Sequence, residues 1–240
     1  MHLPGATADP TSMQLPSPLI LTNDDGIDSE GIRALHALTG GMLVASARQH
    51  SACSHRVTLE TPVQVDQRGP AEYVVHGTPA DCARLASVLL GAPPRLLISG
   101  INEGANVGHD VYLSGTVAAA REATALGIPA VSISQYRKGV ASVDWPQAQV
   151  MARRALEAVL ERGHAGPGFW NINLPHLNGT KRDPELVFCE RCLCPLPLVY
   201  QHRNNAYHHD RERYHVRART PGSDVDVCFG GNIAISWIPL

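Results

Sequence analysis

The chain has 240 residues, 44% of them hydrophobic and 5% aromatic, which is enough apolar material for one large domain with a substantial core. Its net charge of −2 gives no general attraction to nucleic acids or to membranes, so we predict neither as a partner. The sequence has no run of about 18 apolar residues, so an ordinary membrane-spanning helix is not expected.

Residues 1–18 have neither the basic start nor the apolar block of a secretory signal. We predict a disordered N-terminal extension there, followed by a single domain over residues 19–240 that becomes irregular from about residue 185. Without an export signal, the six cysteines are expected to be reduced thiols and the protein to be cytoplasmic.

Strand and helix signals alternate from Leu19 to about Leu174. Apolar runs predict five buried strands, at residues 19–21, 42–45, 96–99, 130–134 and 170–174. The predicted helices between them begin after the capping residues Asp28, Thr78, Ser114 and Asp144. This alternation predicts an α/β fold with a Rossmann-like, mostly parallel sheet and helices on both faces.

Two regions interrupt the alternation. Short apolar runs bounded by turn residues predict small hairpin strands at 57–59, 63–65 and 73–75. From Cys189 onward, prolines, histidines and charged residues mix with short apolar runs, which favours hairpins over further βα units. We therefore predict β-hairpin excursions around residues 52–76 and 185–228.

Two adjacent carboxylates, Asp24 and Asp25, directly follow the first strand. Ligands of open α/β sheets gather at the carboxyl ends of strands. Neighbouring carboxylates repel each other unless a cation or a shared proton offsets their charge. A hard divalent metal with oxygen ligands provides that offset, so we predict a metal site here. The alternative is that one Asp caps the following helix while the other faces water, although Asp28 is already well placed as the cap.

Three further loops follow strands and are predicted to converge on this pair. They are residues 46–51, residues 100–108 and the Ser114-Gly115-Thr116 turn. Asn102 and Asn106 carry amides that can ligate a metal or donate to an anion, and the turn offers hydroxyls and free N–H groups at a helix start. Each loop taken alone is more often just a turn or a cap, but a divalent cation beside a phosphate site predicts phosphoryl chemistry.

Four segments resemble the signature segments of the SurE (survival protein E) family, in the same order from about Leu19 to Leu174. They are LTNDDGIDSEGI, HGTPADC, SGINEGANVG and YLSGTVAAAREATALGIPAVSIS. The resemblance implies a metal-dependent nucleotidase that hydrolyses nucleoside 5′-monophosphates, with 3′-monophosphates as further candidate substrates. It also implies a Rossmann-like core and assembly as a homodimer or homotetramer.

The resemblance also implies a role for individual residues. It places one divalent metal ion per subunit, Mg²⁺ or Mn²⁺, on Asp24, Asp25, Ser51 and Asn102. It places the substrate phosphate against Asn106, Ser114, Gly115 and Thr116. Asp24 and Asn106 are the implied catalytic residues, in a mechanism in which a water held by the metal attacks phosphorus and the nucleoside hydroxyl leaves.

The chain departs from the family pattern in two places. In the family, the strand corresponding to residues 233–238 leads into a segment with an Asp and a His near the active site, which has no counterpart before Leu240. Glu103 stands where the family usually has a small residue, and its charge either strengthens metal binding or repels phosphate. The first departure motivates the main alternative, a nucleotide- or metal-binding relic of the same fold without turnover.

Other assignments are less consistent with the residues. A receiver domain needs an Asp after a central strand, where Ser99 stands, and haloacid-dehalogenase phosphatases need Asp-x-Asp. A zinc site is conceivable at Cys189, Cys192 and Cys194 with His202, His208 and His209, but reduced thiols near a hairpin are favoured because one CxxC lacks a second pair. We interpret His50, His55 and His76 as surface or packing residues.

Overall fold

The structure is a computed structural model that describes residues 13, 15–139, 142–163, 166–177, 179–180, 182–197, 199–209 and 211–240. Most of the predicted N-terminal extension, residues 1–12 and 14, lies outside the described residues, and the disorder expected at 1–18 stays a prediction. Met13 and Leu15 are described, and both pack against the core. No helix in the described part of the chain combines the length and the apolarity needed to cross a bilayer.

Nine strands of the described residues form one central sheet, and two more form a separate hairpin. The strands are β1 (Leu19–Thr22), β2 (Met42–Ser46), β3 (Val65–Gly69), β4 (Glu72–Val75), β5 (Leu96–Glu103), β6 (Ala130–Gln135), β7 (Gly168–Leu174), β8 (Leu186–Phe188), β9 (Tyr200–Arg203), β10 (Ala206–His209) and β11 (Ile233–Pro239). Their order in the sheet is β3-β4-β2-β1-β5-β6-β7-β11-β8, with β9 and β10 as the hairpin.

The sheet is mostly parallel, as predicted. Strands β4, β2, β1, β5, β6 and β7 pair in parallel, whereas β3 runs antiparallel to β4 and β11 runs antiparallel to β7. Because the parallel strands all end at the same edge, their carboxyl-terminal loops meet there.

Helices cover both faces of the sheet, which confirms the predicted layers. They are α1 (Glu30–Thr39), α2 (Pro79–Leu90), α3 (Gly115–Ala125), α4 (Trp145–Arg162) and α5 (Asp224–Phe229). Ile32 of α1 and Leu156 of α4 belong to the core on one face, while Ala83 of α2 and Val117 of α3 belong to the core on the other. Thr78, Ser114 and Asp144 each accept a backbone N–H as the N-caps of α2, α3 and α4, as predicted.

The predicted cap of the first helix is wrong. Ser29, not Asp28, is the N-cap of α1, because its extended backbone directly precedes Glu30. Its hydroxyl accepts a hydrogen bond from Asn23 Nδ2 at 2.8 Å. Asp28 is exposed and pairs with Arg68 at 2.7 Å. Its carboxylate therefore lies at the surface rather than over the helix start.

Some of the predicted hairpin strands also differ from the structure. Residues 57–59 form no strand, because Asp81 accepts hydrogen bonds from the backbone N–H and the hydroxyl of Thr58, both at 2.8 Å. Of residues 63–65, only Val65 belongs to a strand, β3. The run at 73–75 is confirmed within β4, which joins the main sheet beside β2.

The tail contains the hairpin of β9 and β10, but it also contains elements that were not predicted. Helix α5 is one, and β8, which pairs with β11 at the edge of the main sheet, is another. The buried carboxylate of Asp224 in α5 accepts hydrogen bonds from Gly108 N at 2.7 Å and from Cys192 N at 2.8 Å. Asp224 therefore fastens the tail to the loop that follows β5.

An ion pair between Arg217 and Asp110 is a second contact between the tail and the segment that follows β5. The guanidinium binds both carboxylate oxygens at 2.9 Å and donates to the carbonyl oxygen of Val107 at 3.1 Å. Tyr214 donates its hydroxyl to the same carboxylate at 2.8 Å. Asp110 lies in a short 3₁₀ helix, Gly108–Tyr112, so this pair joins the tail to the turn between β5 and α3.

Close packing of α1 against β5 leads to a prediction about Gly31. A Cβ atom at this position would overlap the carbonyl oxygen of Ile101 and lie 3.0 Å from the ring of Trp145. We expect Gly31→Ala to lower the free energy of unfolding by about 3 kcal/mol, because overpacking outweighs the better helix propensity of alanine. Urea denaturation measures the change. Gly69→Ala is the matched control, since nothing lies within 4 Å of its added Cβ. Equal stability of the two variants would contradict the proposed overlap.

Candidate functional site

A cleft of about 210 Å³ lies at the carboxyl-terminal edge of the sheet, where β1, β2 and β5 end. Its lining comes from the end of β5, from the loops after these strands and from the 3₁₀ helix and turn before α3. The lining residues are Asp24, Asp25, Gln49, Ser51, Ala52, Asn102, Glu103, Asn106, Asp110, Leu113 and Ser114. Six of the eight residues proposed for the site from the sequence therefore line one cleft, and the other two, Gly115 and Thr116, do not line it.

Asp24 is the innermost carboxylate of the cleft and is only 6% exposed. One of its oxygens, Oδ1, accepts a hydrogen bond from the hydroxyl of Thr116. Burial, and to a smaller extent the neighbouring charge of Asp25, raise the pKa of Asp24 from its ordinary 3.8 to about 6, against the opposing effect of the Thr116 hydroxyl. The protein thus holds a carboxylate whose negative charge is poorly solvated.

Asp25 is held by the loops on either side of it. Its Oδ2 accepts a hydrogen bond from the backbone N–H of Glu103 at 3.1 Å, and its Oδ1 accepts one from Gln49 Nε2 at 3.2 Å. Burial raises the pKa of Asp25, and the charge of Glu103 acts in the same direction. The Glu103 carboxylate is itself paired with Arg137 at 2.7 Å.

In the part of the chain that the structure describes, the two carboxylates have no positive partner. Among the described residues, no lysine, arginine or histidine forms an ion pair with Asp24 or Asp25. Both pKa values are raised, as expected where negative charge is buried without compensation. A divalent cation with a preference for oxygen ligands fits this pair.

Asn102 and Ser51 add neutral oxygen atoms to the same cleft. Asn102 Nδ2 donates to the carbonyl oxygen of Gly104 at 2.7 Å, which fixes the amide group. Its Oδ1 has no hydrogen-bond partner among the described residues, so this oxygen is free to bind a cation. Ser51 lies on an exposed turn after β2.

The turn that carries Ser51 is held against the rest of the site. His50 donates its backbone N–H to the carbonyl oxygen of Asp24 at 2.7 Å. Ser54 donates its backbone N–H to the carbonyl oxygen of Leu113 at 3.0 Å. His55 Nε2 lies 2.6 Å from a carboxylate oxygen of the buried Glu122 in α3. These contacts tie the turn both to β1 and to α3.

Asn106 is buried in a network of polar side chains from β6 and β7. Its Nδ2 donates to the hydroxyl of Ser134 at 2.7 Å, and its backbone N–H donates to Asn173 Oδ1 at 2.8 Å. Its carbonyl oxygen accepts from Asn171 Nδ2 at 2.8 Å and from Asn173 Nδ2 at 3.1 Å. The second N–H of the Asn106 amide group remains available for an anion in the cleft.

The turn from Ser114 to Thr116 divides its contacts between α3 and Asp24. Ser114 Oγ accepts the backbone N–H of Val117 at 3.1 Å, so this hydroxyl caps the helix while its residue lines the cleft. Thr116 is fully buried, and its hydroxyl binds Asp24. A Cβ at Gly115 would lie 2.9 Å from both Asp24 Oδ2 and Cys53 Sγ, so only glycine allows this close approach. The phosphate contacts assigned to Gly115 and Thr116 stay a prediction.

Sequence reasoning did not single out Gln49 and Asp110, which both line the cleft. Gln49 lies in the loop after β2 that was predicted to converge on the site, and its position directly after a strand is the signal for it. Asp110 pairs with Arg217, which is far away in the sequence, so no local sequence pattern predicts that ion pair.

Known proteins resemble this chain in sequence and in fold. The family model described as "Survival protein SurE" matches residues 19–191. The chain belongs to the SurE family. A SurE relative from Nostoc sp. is 48% identical over 223 residues, which span 92% of this chain and 98% of the relative. The "5'-nucleotidase SurE" of Paramagnetospirillum magneticum is 34% identical over 244 residues, covering 97% of this chain and 91% of that protein.

A solved structure of the SurE protein from Aquifex aeolicus superimposes with a TM-score of 0.74 and 26% sequence identity. The superposition covers 92% of this chain and 92% of the Aquifex chain. The Rossmann-like sheet with added hairpins is therefore shared with a SurE protein, and the resemblance noted in the sequence is confirmed.

The cysteine-rich tail does not form a zinc site in the described residues. No group of three or more histidine, cysteine, aspartate and glutamate side chains is placed there, or elsewhere in the described part of the chain, to hold a metal. All six cysteines are free thiols. His55 and His76 each lie beside a carboxylate, Glu122 and Asp66, and are thus packing and surface partners.

Proposed function

We propose that this SurE-family chain hydrolyses nucleoside 5′-monophosphates to nucleoside and phosphate with one divalent cation, Mg²⁺ or Mn²⁺, per subunit. The observation that carries the proposal is the cleft in which Asp24 and Asp25, without a positive partner among the described residues, face oxygen atoms and N–H groups suited to a cation and a phosphate. The name of the Paramagnetospirillum relative supports the same activity.

In this proposal, the protein's own groups hold and orient the reactants. Asp24 and Asp25 would bind the cation with Ser51 and Asn102, and Thr116 keeps Asp24 in place through its hydroxyl. When bound, the cation supplies positive charge that offsets the phosphate oxygens and makes water a better nucleophile. Asn106, immobilised by its polar neighbours, directs its remaining N–H to a phosphate oxygen. The leaving group is the nucleoside hydroxyl.

A catalytically inactive relic is less favoured than an enzyme. The proposed ligands are present and share one cleft, and the nearby charge of Glu103 is paired with Arg137. Activity on 3′-monophosphates, a homodimeric or homotetrameric assembly and a cytoplasmic location remain predictions.

A substrate panel tests the proposed function. The purified chain is incubated with the 5′- and 3′-monophosphates of adenosine and guanosine in the presence of Mg²⁺, Mn²⁺ or EDTA, and released phosphate is measured. We expect release from at least one 5′-monophosphate with a cation, a fall of about 100-fold or more in EDTA, and recovery when cation is added in excess. Release that is unchanged by EDTA contradicts the proposal, and nucleotide binding without any phosphate release supports the relic.

A further inference from the structure

A second pocket lies next to the cleft and shares no lining residue with it. Its volume is about 510 Å³, against about 210 Å³ for the cleft. The segment from residue 48 to residue 53 contributes to both: Arg48, His50 and Cys53 line the second pocket, while Gln49 and Ser51 line the cleft. A thin stretch of backbone therefore separates two cavities at the same edge of the sheet.

The second pocket carries two positive charges that no described residue pairs with. Arg48 and Arg56 line it, and neither guanidinium has a hydrogen-bond or ion-pair partner among the described residues. His50 lies between them in the chain and lines the same pocket. The two guanidinium groups therefore both contribute positive charge to this pocket.

The carboxylates near the pocket are occupied by other partners. Asp81 accepts hydrogen bonds from Thr58 and from the backbone N–H of Thr78, each at 2.8 Å. Asp66 lies 2.7 Å from His76 Nε2. Neither of these carboxylates contacts Arg48 or Arg56, which leaves both guanidiniums for a ligand.

The wall of the pocket is fixed before any ligand arrives. The hydroxyl of Thr78 donates to the carbonyl oxygen of Arg56 at 2.6 Å, and Asp81 holds Thr58. Glu122 holds His55 on one oxygen and Arg84 on the other, both at 2.6 Å. These bonds anchor the segment that carries Arg56 to α2 and α3, so binding needs little ordering of the backbone.

We propose that this second pocket binds a phosphate group, held between Arg48 and Arg56 in addition to the phosphate proposed for the cleft. Guanidinium groups bind phosphate through paired, charge-assisted hydrogen bonds, and two of them supply such bonds here. The hydroxyl group of Thr61 in the lining adds a neutral donor, whereas the hydroxyls of Thr58 and Thr78 already donate to Asp81 and to the carbonyl oxygen of Arg56.

The pocket lies within electrostatic reach of the catalytic cleft. Cys53 lines it, and a Cβ atom at Gly115 would lie 2.9 Å from both Cys53 Sγ and Asp24 Oδ2, so this thiol and the buried carboxylate of the cleft flank the same residue. The phosphate group therefore has two candidate sources: free inorganic phosphate, or a second phosphate on a nucleotide whose first phosphate occupies the cleft. Phosphate binding itself is independent of the proposed nucleotidase activity, whereas the second source rests on it.

Calorimetric titration of the full chain in EDTA tests the binding. The titrants are inorganic phosphate, adenosine 5′-monophosphate and adenosine 3′,5′-bisphosphate, and the protein is the unmodified chain or the double variant Arg48→Gln/Arg56→Gln. We expect an affinity for inorganic phosphate, for the bisphosphate or for both that falls about tenfold or more in the double variant. If the double variant loses affinity for inorganic phosphate, the natural ligand of the pocket is the free anion. If it loses affinity for the bisphosphate alone, the ligand is the second phosphate of a nucleotide.

Arg95→Gln is the matched control, because Arg95 is exposed at the opposite end of the sheet, just before β5. We expect it to bind every titrant like the unmodified chain, and all variants to keep the same melting temperature. If neither inorganic phosphate nor the bisphosphate binds through the two arginines, the proposal is overturned. If binding depends on them but no nucleotide is hydrolysed with Mg²⁺ or Mn²⁺, the second phosphate site stands and the proposed function fails.

Discussion

Asp24→Asn is expected to lower kcat/KM for a nucleoside 5′-monophosphate by about 10³-fold, equivalent to ~4 kcal/mol of lost stabilisation. The substitution removes one of two charges proposed to hold the cation, while its amide oxygen can still accept the hydrogen bond from Thr116. Because Asp24 is buried and its pKa is raised to about 6, loss of the charge should not destabilise the fold. Steady-state phosphate release at saturating Mn²⁺ measures the effect.

Asp28→Asn serves as the control for this experiment. Asp28 is an exposed carboxylate four positions along the chain, and its partners are Arg33 and Arg68 at the surface. We expect the Asp28→Asn variant to have a kcat/KM within about twofold of that of the unmodified chain, since surface changes away from a site have small effects. Equal activity of the Asp24 variant and the unmodified chain would show that the chemistry takes place elsewhere.

Arg217→Met is expected to lower the free energy of unfolding by about 3 kcal/mol. The side chain of Arg217 is 3% exposed and that of Asp110 is 14% exposed, so the substitution leaves a largely buried carboxylate without its partner. Methionine preserves much of the packing against the rings of Tyr214 and Phe229. Urea denaturation followed by tryptophan fluorescence measures the loss.

Two further variants separate the charge effect from a general loss of packing. Arg219→Gln removes an arginine two positions away, whose pair with Asp226 is 3.3 Å long and about 40% exposed, and should cost less than about 1 kcal/mol. The double variant Arg217→Met/Asp110→Asn should recover part of the lost stability, because no unpaired charge remains buried. If the double variant is less stable than Arg217→Met, the loss comes from packing instead.

The core of the fold was predictable because its signals are local. The five buried strands are apolar runs, and Thr78, Ser114 and Asp144 cap helices in the structure as the sequence indicates. Helix α5 and strand β8 were missed because they have 6 and 3 residues, too few for a periodic pattern to be recognised. Asp28 and Ser29 are both good capping residues, and only the backbone of the turn selects Ser29.

The candidate site was predictable to the extent that its residues follow strands. Asp24, Asp25, Asn102 and Asn106 come after β1 and within or after β5, and parallel strands bring such positions to one edge. The partner of Thr116 was not predictable, because its hydroxyl reaches Asp24 only through the packing of α3 on β5 and β6. The second pocket was equally hidden, since Arg48 and Arg56 line one cavity only because Thr78 and Asp81 hold Arg56 and Thr58 against the start of α2.

The position of β11 has a consequence for biosynthesis. This strand comes after all the other described strands in sequence, yet it lies between β7 and β8 and pairs with both. While the ribosome is still adding residues before 233, the outer edge of β7 has no neighbour, and β8 has nothing to pair with. A nascent chain therefore exposes a free strand edge, which invites association with other unfinished chains until residues 233–239 emerge.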